Sequence, residues 1–359
     1  MLKLVLGKDW ISNRNLLLSA VSDAVAAEKK NLVVIVPELI SHEMERKLCS
    51  AAGNTASRFA EVLSFTRLAR RVADASGHCA MPCLDEGGRV VAMAAAVSQV
   101  NSKLKFFASV GTKPEFITGL LETVDECKRC AVDPVSLMKA SKVTTGILAQ
   151  KLEELSLIFE AYDGICLRGK KDPRDLLSWL LAELEAGDYA AEHTFYIDGF
   201  SDFTRQQMNV LTHLLRYSKD VTISLTCDRP GAAELAFERP GETAAELLRV
   251  AKSQEVPVQI IYNDCQCSEL GRAAESLFEG HLPAVSQLKV VRCESVYQEC
   301  DAVAERILDL IRDGCRYRDI SIVCPEMGDY EAPLSMVLQR CGIPAYLSGT
   351  QSILDRPVI

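Results

Sequence analysis

The chain has 359 residues and a net charge of −9, from 49 acidic against 40 basic side chains, with 48% hydrophobic and 25% charged residues. That length argues for two or three domains and allows a sizeable core. The acidic balance excludes a stand-alone nucleic-acid binder built on an overall basic surface, though not a local basic track or a partner that carries the positive groove.

Aromatic residues are only 6%, and the apolar mass is Leu, Val and Ala, as in helices and buried parallel strands. The first stretch, KLVLGKDWISNRNLLL (3–18), predicts a strand Leu2–Leu6, Gly7, a short polar loop and a helix from Asn13 to Glu28. Asn31–Val36 (NLVVIV) predicts a buried strand ended by Pro37. A helix capped by Ser41 runs to Ala52, Phe59–Phe65 is a further strand, and Thr66–Ala75 a helix. Alternating strands and helices imply right-handed crossovers and a parallel sheet.

Strand signals vanish over residues 81–190. Helical periodicity covers Glu86–Val100, Glu115–Cys130, Thr145–Tyr162 and Arg174–Ala186, punctuated by Pro82, Pro114, Pro134 and Pro173. This predicts a helical insert (81–190) within an α/β domain made of residues 1–80 and 191–285. The α/β pattern returns with a strand Thr194–Ile197, a helix Arg205–Arg216, a strand Val221–Leu225, a helix Ala244–Ser253 and a strand Val258–Tyr262. Residues 286–359 start again: strands Leu288–Cys293, Ile320–Cys324 and Ala345–Leu347, with helices Tyr297–Arg312 and Leu334–Cys341. They are expected to open a second α/β unit, and Arg356–Ile359 gives no stop signal, which suggests a fragment.

Strand, Gly7, loop and helix have the layout of a phosphate-binding loop, G-x-x-x-x-G-K-[ST]. Counting from Gly7, the last three places hold Ser12, Asn13 and Arg14 in place of Gly, Lys and Ser/Thr. The strand Thr194–Ile197 ends in Asp198, where such a fold holds Mg²⁺, but Gly199 stands where a helicase keeps its catalytic Glu. Gly7, Ser12, Asn13, Arg14 and Asp198 thus outline a nucleotide site without its reactive groups. Ser64, Phe65, Thr66 and Arg67, at the next strand-to-helix turn, have the chemistry for a nucleic-acid phosphate; a plain helix cap is the alternative. Phe200 and Phe203 are candidates for base stacking or for core packing.

Fourteen cysteines are scattered through the chain. Cys127 and Cys130 form a C-x-x-C with no second pair at zinc spacing, and Cys79, Cys83, Cys265 and Cys267 do not complete one. The histidines His42, His78, His193, His213 and His281 are dispersed. No metal site is expected. With no signal-peptide pattern at Met1 and no apolar run of membrane length, a cytoplasmic, reduced protein is expected.

VLSFTRLARRV (62–72), FITGLLETVDECKRCAVDP (116–134), KLEELSLIFEAYDG (151–164), YIDGFSDFTRQQ (196–207), ISLTCD (223–228) and CRYRDISIVCPEMGDYEAPLSMVLQRCGIPAYL (315–347) occur in order along the chain. As a set they resemble the B subunit of the bacterial two-subunit ATP-dependent helicase–deoxyribonuclease, the AddAB type. The resemblance implies a RecA-like, superfamily-1 helicase-like fold with a helical insert and the start of a second RecA-like domain. It implies work on double-stranded DNA ends in recombinational repair, with the A subunit as motor partner and this subunit guiding or scanning the unwound single strand. The family's nuclease domain and iron–sulfur cluster lie in a C-terminal part outside this sequence. Members usually keep a glycine-rich G-x-x-G-K-[ST] loop, and this chain departs from it at Asp9–Arg14, so no ATP or Mg²⁺ is expected here. Two other readings stay open: an ATPase in which Arg14 or Lys8 replaces the lysine, and a scaffold that has left DNA metabolism.

Overall fold

A computed structural model of the chain describes residues 1–77, 82–111, 113–233, 235–263, 269–276, 285–286 and 288–347. Cys79, Cys265, Cys267, His78, His281 and the stretch Arg356–Ile359 lie outside the described residues.

Two compact units, 1–285 and 286–359, divide the chain. The first holds a six-stranded parallel sheet of β1 (Leu2–Leu6), β2 (Leu32–Ile35), β3 (Ala60–Leu63), β4 (Thr194–Ile197), β5 (Asp220–Leu225) and β6 (Val258–Tyr262), in the order β3-β2-β4-β5-β1-β6. Its helices are α1 (Trp10–Ala26), α2 (Ser41–Ala52), α3 (Phe65–Ala75), α4 (Glu86–Val100), α5 (Pro114–Arg129), α6 (Pro134–Val143), α7 (Gly146–Arg168), α8 (Leu176–Ala186), α9 (Tyr189–Glu192), α10 (Arg205–Tyr217), α11 (Glu238–Ser253) and α12 (Glu269–Ser276).

Alternate strand residues serve opposite faces, as the two-residue period of a strand requires. Leu32, Val34, Val36 and Tyr196 pack with α1 and α2 residues such as Leu17, Val21 and Met44. Val33, Ile35, Phe195 and Ile197 enter the other core with Leu68 of α3, Leu180 and Leu184 of α8, Leu211 of α10 and Leu247 of α11. Both faces are covered, which is why these strands read as unbroken apolar runs. The RecA-like α/β reading therefore describes this sheet.

A third core joins α4, α5, α6 and α7 through Met93, Ala96, Ile117, Leu120, Ile158 and Tyr162. An ion network anchors it. Arg89 of α4 donates to Asp125 of α5, and its Nε lies 3.2 Å from Asp172 Oδ1 out of hydrogen-bond line. Lys128 Nζ reaches Asp175 at 2.8 Å, Asp172 at 3.1 Å and Asp163 at 3.2 Å. Asp172 also accepts from the Tyr162 hydroxyl (3.0 Å) and the Arg174 N–H (3.0 Å). Asp172 lies just before α8, so the network fastens the helices to the segment that returns to the sheet.

Several expected boundaries move, each for a local reason. Helix α1 begins at Trp10 because Asp9 caps it, its carboxylate accepting from the Ile11 and Ser12 N–H groups. Ser41 does not cap α2; it is the first helical residue, and its hydroxyl donates back to Glu38 O. Strand β3 stops at Leu63 because Ser64 caps α3. Helix α6 occupies what the proline punctuation suggests is a gap. Asp133 caps it and Pro134 takes the first turn, where a missing N–H costs nothing.

The second unit packs α13 (Val296–Arg312) on α14 (Met327–Arg340) around Ala304, Ile307, Leu334 and Leu338. The expected strands 288–293, 320–324 and 345–347 form no ladder among the described residues. Their β-branched composition gives a preference, but a strand also needs a neighbour to bond.

Candidate functional site

Every expected site residue lies at or just beyond the carboxyl edge of the parallel sheet, where open α/β sheets take ligands. After β1 the chain turns at Gly7. A Cβ there would sit 2.5 Å from both Asn13 Oδ1 and Asn263 O, so only glycine fits. Asn13 is fully buried, and its Nδ2 donates to Gly7 O (2.9 Å) and Leu225 O (3.1 Å). Asn263, one residue past β6, donates from its own Nδ2 to Ser12 Oγ and Asn13 Oδ1, each at 3.0 Å. These amides tie loop, β5 and β6 together across the space where a phosphate-binding loop opens.

The charged groups close what remains. Arg14 Nε donates to Asp198 Oδ2 at 2.6 Å, with both side chains buried, and its guanidinium lies 4.8 Å from the centre of the Trp10 ring. Gly199 adopts φ +83°, and a Cβ there would lie 2.7 Å from Ile40 Cδ1 and 3.2 Å from Pro37 Cδ. A side chain at 199 would be strained by that backbone conformation and would press on the Ile40 and Pro37 side chains. Nearby Glu43 is held below the ordinary carboxylate range by its hydrogen bond from Lys47, with Arg14 adding a smaller pull.

The groups a Mg-nucleotide would use in such a fold are engaged with other side chains here. The carboxylate that would hold the metal is taken by Arg14. The first helical N–H groups are taken by Asp9, and an amide stands in the lysine position. Lys8 points elsewhere, over the Phe237 ring at 5.7 Å.

The second group sits two strands away. Ser64 accepts from the Arg67 N–H at 3.2 Å and donates to Glu38, and Arg67 pairs with Glu45 at 3.1 Å. Thr66 is exposed on the first turn of α3. Phe65 is only 5% exposed and belongs to the core. Phe200 and Phe203 meet its ring edge-on at 5.6 and 6.5 Å and lie 5.1 Å from each other. Phe65 is thus a core residue, and Phe200 and Phe203 are partly buried rings packed against it. Their clustering brings α3, and with it Thr66 and Arg67, close to the loop that carries Asp198.

Cys127 is half-buried with its thiol pushed up by burial, and Cys130 is exposed. No group of three or more metal-ligating side chains is assembled among the described residues. No described helix is long and apolar enough to cross a membrane.

Residues 4–277 match the family model described as ADDB, N-terminal. The chain belongs to that family. Over 346 residues it is 25% identical to the B subunit of the ATP-dependent helicase/deoxyribonuclease of Clostridium acetobutylicum, covering 92% of this chain and 30% of that protein. The Geobacillus kaustophilus protein of the same name is 28% identical over 351 residues, covering 91% and 30%. That of Listeria innocua is 23% identical over 372 residues, covering 100% and 32%. The chain thus spans about a third of the length of the relatives it matches.

Sequence reasoning misses two members of this AddB-type site. Asn263 carries no motif; only its place at a strand end, beside another polar loop, could draw attention to it. Trp10 reads as bulk in a loop, although its spacing of four from Arg14 on a helix is a signal for contact.

Proposed function

We propose that this segment is a helicase-like, non-motor part of a helicase–nuclease subunit. It guides single-stranded DNA beside a motor A subunit during the processing of double-stranded DNA ends for recombinational repair in the cytoplasm. The name shared by the relatives supports the setting. The observation that carries the non-motor reading is the Arg14–Asp198 pair, 2.6 Å long and buried, which consumes the one carboxylate placed for Mg²⁺. Gly199 supports it from the other side, because its left-handed backbone and close neighbours would strain a Glu placed there. The domain is kept for its shape and surfaces, and the segment needs no cofactor; any iron–sulfur cluster belongs to sequence beyond it. Strand contact falls to the same edge at Thr66, exposed on the first turn of α3, and at the partly exposed Arg67, with the buried Ser64 holding that helix N-terminus in place as its cap.

Calorimetric titration of the chain with Mg-ATP tests this. The expected result is no binding up to millimolar nucleotide. Micromolar binding would overturn the reading in favour of an unconventional ATP-binding domain.

A further inference from the structure

The phenylalanines expected to stack on bases have given their ring surfaces to one another. Trp10 has not. It is the first residue of α1, it stands at the carboxyl edge of the sheet, and 49% of its surface is exposed. One turn on, the Arg14 guanidinium lies against the ring at 4.8 Å. Arg14 cannot drift away, because Asp198 holds it in a buried ion pair. An exposed tryptophan would ordinarily sample several rotamers and lose that freedom on binding; a backed one has largely lost it beforehand.

We propose that Trp10, braced by Arg14 and Asp198, is a stacking platform for an unpaired nucleobase. Stacking needs one flat, rigid, accessible aromatic face and tolerates any base. The base can come from an unpaired strand or from a free nucleotide; the chemistry is the same. A protein partner is disfavoured, since a stable interface takes about 800 Å² on each side. Here only Ile11, 51% exposed, adjoins the ring in sequence with comparable apolar exposure. The proposal rests on the reading above that a single strand crosses this edge. It also gives the Arg14–Asp198 pair a second task, fixing an aromatic as well as closing a cradle.

Fluorescence anisotropy of a labelled 20-nucleotide oligothymidylate, titrated with the 359-residue chain at low salt, tests it. Trp10→Ala is expected to weaken strand binding by about 5- to 150-fold, the worth of one stacked base. Trp10→Phe, which keeps a ring, is expected to retain most of the affinity. Both variants should melt like the native chain, because the side chain is half exposed. Displacement of the strand by millimolar ATP in the native chain alone would assign the platform to free nucleotide; failure of ATP to compete assigns it to the strand. Equal strand binding by Trp10→Ala and native chain overturns the proposal, as does a native chain that binds neither strand nor nucleotide. Loss of association with a second protein, at unchanged strand affinity, overturns it too. Micromolar Mg-ATP binding that survives Trp10→Ala would instead count against the closed cradle, so the two readings fail separately.

Discussion

Among the described residues arginine meets aspartate in two buried places, and the two differ in how many partners each charge has. At the sheet edge, Arg14 and Asp198 make one hydrogen bond across 184 residues of sequence. In the helical block, Lys128 alone faces three carboxylates, and Asp172 serves Lys128, Tyr162, Arg174 and Arg89 together. Burial works to lower the Arg89 and Lys128 pKa values and to raise that of Asp172, yet the mutual charges win and hold all three ionised. The shared network is a rivet: charge is distributed over α4, α5, α7 and the segment before α8, around Arg89, Lys128 and Asp172, which are largely shielded from solvent. The one-to-one pair stands at the sheet edge where open α/β sheets take ligands.

The largest expected effect lies in the rivet. Asp172→Ala leaves Lys128 and Arg89 buried with less compensation and strips Tyr162 and the Arg174 N–H of their acceptor. A loss of about 3–5 kcal/mol is expected from breaking such a site. Thermal melting checks it, and a drop under about 1 kcal/mol would show that the network does not hold the block.

Next comes the pair. Asp198→Ala orphans one guanidinium near the lip of the edge, and a loss of about 3 kcal/mol is expected, at the low end for buried pairs. The double variant Arg14→Met, Asp198→Leu should recover most of it, because two apolar side chains together leave no charge behind. No comparable two-residue rescue is expected for Asp172, whose partners are too many. If the double variant stays as unstable as Asp198→Ala, the one-to-one description of the pair is wrong.

What is legible in the sequence follows the same divide. All six strands of the sheet are readable to within two residues at either end: covered parallel strands are apolar runs, and the more exposed edge strand β6 still shows its β-branched and aromatic composition. Arg14 and Asp198 both stand out, but as remnants of two motifs. Nothing in a linear pattern says that one will bond to the other across 184 residues. Asn13 and Asn263 are illegible as partners for the same reason. Phe65, Phe200 and Phe203 look alike in the sequence because exposure cannot be read from residue type; the fold buries Phe65 and packs the partly exposed Phe200 and Phe203 against it. Helix α6 escapes notice although Asp133-Pro134 announces a capped start, since proline also reads as a break. The strands expected beyond Leu288 have the composition for strands but find no ladder among the described residues.

Acid should separate the two regions with the smallest effects. His193, stacked on Tyr189 at 3.9 Å in the α/β half, is held below its ordinary 6.5 by burial, which disfavours the charged ring. Its contribution to stability is full above pH 6.5 and is lost as pH falls through the folded value. In the helical block Glu154 sits below its ordinary 4.5: burial raises it, but the N–H groups of Phe106, Phe107 and Lys105, at 2.8–2.9 Å, more than offset that. Asp172 is likewise held below 3.8, so both contributions persist to lower pH and fade only under stronger acid. Asp175 runs the other way, its carboxyl raised by burial, so protonation there relieves part of the block's strain. The melting temperature should therefore fall in two steps, a shallow one starting below pH 6.5 and a second below pH 4.5. Each group contributes about 1.4 kcal/mol per unit of displacement. His213 is lowered by burial in the same way, so His193→Phe should shrink the first step, the double variant with His213→Phe should flatten it, and neither should touch the second. If the double variant flattens neither step, the burial of these rings does not couple to folding, and the two regions share a single acid limit set by the carboxylates of the rivet.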